Sequence, residues 1–163
     1  MLLARTIGDA LLVAALPFSE PLSVRIGVTG TEDGMSEAQK KTYHKLILKD
    51  FVKGSTFHHG DCVGVDCEAA IMARFIGFWI HSHPPDDPKL RAYVTSHVVH
   101  PEKPYLKRNM DIAVTCEKLY VVPKEYTEQW RGSGTWATYR YGKKLARPIV
   151  IIFPDGSTGD SPR

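Results

Sequence analysis

Apolar residues fall along this chain in short blocks, whose spacing switches between that of buried strands and that of one-sided helices. Val24-Arg25-Ile26-Gly27-Val28-Thr29, closed by Gly30, reads as a central first strand. Ser36-Glu37-Ala38-Gln39 then has the form of a capping box, and Tyr43, Leu46, Ile47 and Phe51 follow at helical spacing, which predicts an amphipathic helix to about Asp50. Ser55 to His59 is extended. Gly60 to Asp66 turns it into a helix carrying Ala69, Ala70, Ala73 and Ile76, which stops at Gly77. Phe78 to His81 is a third strand.

From Ser82 to Lys103 prolines and charges dominate, which predicts a long loop with room for a short strand at Tyr93 to Val99. Pro104 suits the first turn of a helix running to about Thr115, with Leu106, Met110 and Ala113 inward. Lys118 to Val122 is a fourth strand, Lys124 to Arg131 a polar loop and Gly134 to Ala146 a last helix. Pro148 to Phe153 is a β-branched fifth strand. Such alternation predicts an α/β fold: a doubly wound, mainly parallel sheet of about five strands with helices on both faces and ligands beyond the carboxyl ends of its strands. The domain spans 23–156, residues 1–22 form an extension, and 157–163 read as a flexible tail.

The length of 163 residues suits one domain with a sizeable core, and 43% hydrophobic with 24% charged residues argues against disorder. A net charge of +3 permits phosphate-bearing ligands but lacks the concentrated charge of a dedicated DNA binder. Cys62, Cys67 and Cys116 are odd in number and lie in regular segments, so a reducing, cytoplasmic setting is expected rather than a disulfide framework. The run Leu11 to Leu16, bounded by Asp9 and Pro17, is too short to span a bilayer. Its flanks suit an added strand or short helix better than a secretory signal, with Pro17 to Leu22 as linker.

The chemistry gathers at Arg131-Gly132-Ser133-Gly134-Thr135-Trp136-Ala137-Thr138. Small residues and a hydroxyl opening a helix bring backbone N–H groups and the positive dipole end together, which favours an anion; glycine is also the default residue of any tight turn. Asp61 and Asp66 flank a second such turn, where capping competes with ribose contact or catalysis. Trp136 is either core filler or a stacking platform for a base. The seven histidines raise a metal reading, but His81-Ser82-His83 and His97 to His100, with Cys62 and Cys67, match no ligand spacing, and histidines alternating at a strand end are expected to face opposite ways. No metal and no cofactor is therefore assigned.

Three motifs in order resemble the SLOG superfamily, the Rossmann-like group of DprA, the lonely-guy phosphoribohydrolases and YpsA-like proteins. They are His59-Gly60-Asp61-Cys62-Val63-Gly64-Val65-Asp66, Pro104 to Ile112, and Gly132 to Tyr141. The likeness covers about Val24 to Gly156 and implies a nucleotide pocket walled by Gly30, Thr31, Gly60, Asp61, Gly64, Asp66, Arg108, Asn109, Gly132, Ser133, Gly134, Thr135 and Trp136. Arg108 would fork onto a phosphate. Lonely-guy enzymes carry a Gly-Gly-x-Gly-Thr-x-x-Glu pattern. Aligned on Gly134-Thr135, Arg131 stands at its first glycine and Thr138 at its glutamate, so that hydrolytic mechanism is not expected in the same form.

The expected function is binding of a nucleotide or nucleotide-derived small molecule, as sensor, carrier or sequestering protein. The alternative is an N-glycosidic or nucleotide hydrolase using Asp61 or Asp66 as catalytic carboxylate. Single-stranded DNA binding ranks last, because Tyr126 to Arg140 offers only a partial basic and aromatic strip. No membrane partner is expected, and a homodimer through an exposed apolar helix face fits the resemblance.

Overall fold

The computed structural model describes residues 22–163; the run Leu11 to Leu16 and the rest of the segment before Leu22 lie outside it. One sheet of seven strands runs through the molecule in the order β4-β3-β2-β1-β5-β6-β7. The strands are β1 (Arg25–Gly30), β2 (Thr56–His59), β3 (Trp79–Ser82), β4 (Val98–Val99), β5 (Lys118–Val122), β6 (Ile149–Ile152) and β7 (Thr158–Gly159). All neighbours pair parallel except β6 and β7.

The pattern predicts about five strands, and the two extra ones are two-residue edges too short to carry a periodic signal. β4 falls within the stretch reserved for a short strand. β7 falls in what reads as a bare tail: Arg163 reaches back over the rings of Phe153 and Tyr126 and donates from its backbone to the Tyr126 carbonyl.

Four helices complete the fold: α1 (Glu37–Asp50), α2 (Val65–Ile76), α3 (Tyr105–Thr115) and α4 (Gly134–Lys144). The first pair covers one face of the sheet, burying Tyr43, Ile47, Ala69, Ala70 and Ala73 against Ile26, Val28, Phe57, Ile80 and Tyr120. The second pair covers the other, burying Ile112, Trp136 and Tyr139 against Leu119, Val121, Ile149 and Ile151. Alternate residues of β5 serve the two cores, the period-two pattern of a strand buried on both sides.

The capping box at Ser36 forms as its sequence predicts, and its Gln39 does more than cap. The buried amide donates to the carbonyls of Pro123 and Ile152 at 2.8 and 2.9 Å, tying α1 to the ends of β5 and β6. In α3 the spacing misassigns the inward face: Leu106 is exposed, whereas Arg108 and Asn109 are buried beside Ile112 and Ala113.

The chain winds outward from β1 to β4 and returns past β1 to build β5 and β6 on its other side. The winding direction thus reverses between β1 and β5, and the crevice outside the carboxyl ends at such a reversal is where open α/β sheets hold ligands.

Candidate functional site

A cleft of about 720 Å³ opens at that crevice. Its floor includes Gly30 at the end of β1. Gly132, Ser133 and Gly134 enter from the start of α4, Cys62 and Val63 from the turn before α2, and Tyr105 from α3. Lys89, Leu90, Trp130 and Arg140 form the rim. Glu32 is the one carboxylate among the lining residues.

The α4 turn opens its helix with a side-chain cap and free backbone donors. The Ser133 hydroxyl accepts from the N–H of Trp136 at 3.3 Å and so caps the helix. No described residue accepts from the N–H of Gly134 or Thr135, which leaves two donors at the positive end of the helix dipole. Gly134 is required here by close approach, since a Cβ would overlap the Tyr105 hydroxyl. Lys89 has no acidic partner among the described residues, and Arg140 pairs with Glu128 at 2.8 Å while its guanidinium lies over the exposed Trp130 ring.

Arg108 does not face the cleft. It is 3% exposed and lies beneath, with Tyr105 stacked over it, Nη2 donating to the Cys62 sulfur at 2.9 Å and Nη1 3.8 Å from Asp66. Its Nε has no partner among the described residues. Gly60 is dictated by this cation, because a Cβ there would overlap Nη1. Arg108 therefore supplies a buried positive charge under the floor rather than a fork for direct contact.

Asp66 spends its carboxylate locally, accepting from the N–H groups of Gly60 and Cys62 at 3.0 and 3.4 Å. Burial pushes its carboxyl up to about 6, with Arg108 and the two N–H donors opposing. Burial likewise pushes the Cys62 thiol up to about 11, which keeps it a neutral wall rather than a nucleophile.

Asp61 is fully buried with a positive φ of 55°. Its two oxygens accept from Arg91 Nε and the Val94 N–H, both at 2.8 Å. It clamps the long loop and does not line the cleft. Trp136 belongs to the second core, edge-on to Tyr139, with its indole N–H donating to Glu125 at 3.3 Å. The core-filler alternative describes it, and the indole at the cleft is Trp130.

Of the other expected residues, Thr31 organises its own loop, its carbonyl accepting from Gly34 and Val65. Gly64 caps α2, Thr135 is buried, and Asn109 makes a long 3.5 Å contact to the Gly134 carbonyl. Thr138, at the position of the lonely-guy glutamate, is buried with its hydroxyl donating to the Gly134 carbonyl. Of the pocket residues the resemblance implies, Gly30, Gly132, Ser133 and Gly134 reach the cleft, and Gly60, Asp61, Asp66, Arg108, Asn109 and Trp136 lie behind it. Lys89, Tyr105, Trp130 and Arg140 join the lining unannounced, although Trp130 and Arg140 sit in the interleaved aromatic and basic strip.

No family model and no curated protein matches the sequence. Solved structures do match, and they share the doubly wound α/β fold of this chain. The molybdenum cofactor carrier protein of Chlamydomonas reinhardtii is 22% identical, with a TM-score of 0.56 over 80% of this chain and 76% of that one. The molybdenum cofactor binding protein of Rippkaea orientalis is 16% identical, with a TM-score of 0.61 over 81% and 77%. DNA processing protein A of Helicobacter pylori, described for its single-stranded DNA binding, is 15% identical with a TM-score of 0.56; the match covers 78% of this chain and 64% of that one. No helix among the described residues is long and apolar enough to cross a membrane.

Proposed function

We propose that the chain is a small-molecule binding or carrier protein whose ligand joins a phosphate to a flat heterocycle, as nucleotide derivatives do. The carrying observation is the pair of unpartnered N–H groups at Gly134 and Thr135 that open α4, with Gly134 lining a cleft that Lys89, Arg140 and the exposed Trp130 ring also line. An anionic group settles against those donors and the dipole, Lys89 and Arg140 draw it in, and Trp130 and Tyr105 offer faces for the heterocycle. The carrier and cofactor-binding roles named for two proteins of the same fold support a ligand that is held rather than turned over. The hydrolase alternative loses support because Asp61 and Asp66 are engaged behind the cleft.

The test is thermal denaturation against nucleoside mono- and diphosphates, NAD, ADP-ribose and the molybdenum cofactor. A ligand present at about 100 times its Kd raises stability by about 2.7 kcal/mol and so raises Tm. Arg140→Ala should cut that shift. A flat response across the panel, or one that survives both Arg140→Ala and Lys89→Ala, removes the proposal.

A further inference from the structure

Four histidines on or just beyond three adjacent strands share one face of the sheet, away from the cleft lining. His58 on β2 is the direct neighbour of His81 on β3, and His81 pairs in turn with Val98 on β4. Two residues further along, His83 and His100 continue the same face, because side chains alternate with a period of two. The expectation that alternating histidines diverge is thereby corrected: positions 81 and 83 are two apart, and the intervening Ser82 points the other way.

The rings form a tight group. His58 Nδ1 lies 3.0 Å from His83 Nε2, and His81 Nδ1 lies 3.1 Å from His100 Nε2. The His83 and His100 rings stack with centroids 4.1 Å apart. One ring nitrogen from each of His58, His83 and His100 comes within 4.8 Å of the other two.

We propose that His58, His83 and His100 bind a divalent transition-metal ion of the zinc class. A tetrahedral ion at about 2.0–2.1 Å from imidazole nitrogen holds its ligands about 3.3 Å apart, so the 3.0 Å pair needs only a slight opening, and side-chain rotation brings in the third ring. His58 already has an outer partner: its Nε2 lies 2.9 Å from the Thr56 hydroxyl, which orients the ring and leaves Nδ1 for the ion. The ligand set is all imidazole, which suits zinc, copper or nickel and not calcium or magnesium, which require oxygen.

His58 and His83 are buried, which shields the grouped nitrogens from bulk water. His100 is half-buried and gives the ion a route in. Three protein ligands leave a fourth position for water.

The test uses the untagged full-length chain, stripped with a chelator and titrated with Co²⁺ and then Zn²⁺. Roughly one equivalent of Co²⁺ per chain should be retained, with the intense visible bands of a tetrahedral or five-coordinate ion, and Zn²⁺ should bleach them. Zn²⁺ should raise Tm and Mg²⁺ should not. His83→Gln and His100→Ala should each weaken binding by about 100-fold or more, while exposed His44→Ala leaves it unchanged. Because His100 is only half-buried, its variant keeps the test valid if His83→Gln misfolds. Substoichiometric retention, or binding that persists in His100→Ala, overturns the proposal and reduces the cluster to a hydrogen-bonded network.

Discussion

Replacing Asp66 with Asn isolates the electrostatics beneath the cleft. The folded carboxyl sits at about 6 against an ordinary 3.8, chiefly because burial disfavours its charge. Over that interval the folded chain binds more protons than the unfolded one. The stabilisation is therefore fully present below the unfolded value and is lost as pH rises through the folded value. Evaluated at about pH 4.5 and about pH 7, the linkage amounts to about 2 kcal/mol lost by the wild-type chain and retained by the variant.

Urea denaturation of both proteins at the two pH values measures the effect, with wild type minus variant expected to fall by about 2 kcal/mol from the acid to the neutral condition. A difference that stays constant would show that burial does not push the carboxyl up, whether it is unperturbed or held down by Arg108, and would refute the account of the floor.

Asp61→Asn should destabilise the fold by about 2–4 kcal/mol in chemical denaturation, because it leaves Arg91 and the Val94 N–H without their acceptor charge; unchanged stability would return Asp61 to the list of candidate catalytic groups. Gly134→Ala should cost about 1–3 kcal/mol through overlap with Tyr105, and a double-mutant cycle with Tyr105→Ala should recover much of it. Trp136→Ala should cost about 3–5 kcal/mol, while Trp130→Ala should leave Tm within the scatter of surface substitutions and lower ligand affinity.

The regular part of the fold was legible because each element carried its own periodic signal. The capping box at Ser36, the apolar run of β1 and the alanine face of α2 all formed where their spacing put them. Two-residue strands such as β7 have no period to detect and exist through their neighbours' hydrogen bonds. At the site, motif position and side-chain direction proved to be separate facts. The Gly132 to Gly134 turn lines the cleft at the start of α4, where any side-chain direction matters little. Arg108, Asp61 and Trp136 lie in the motifs, yet helical phase and a positive φ turn them inward. Lys89 reaches the rim through a long loop whose path no local pattern encodes.

That path has a kinetic corollary. Lys89 and Leu90 ride on a segment stitched to the end of β2: Asp61 holds Arg91 and Val94 through its carboxylate and Ala92 through its carbonyl, the last at 2.7 Å. The far wall is thus set before any guest arrives. Capture should proceed as a single diffusional step whose observed rate climbs linearly with guest concentration, without the plateau that a slow lid closure imposes.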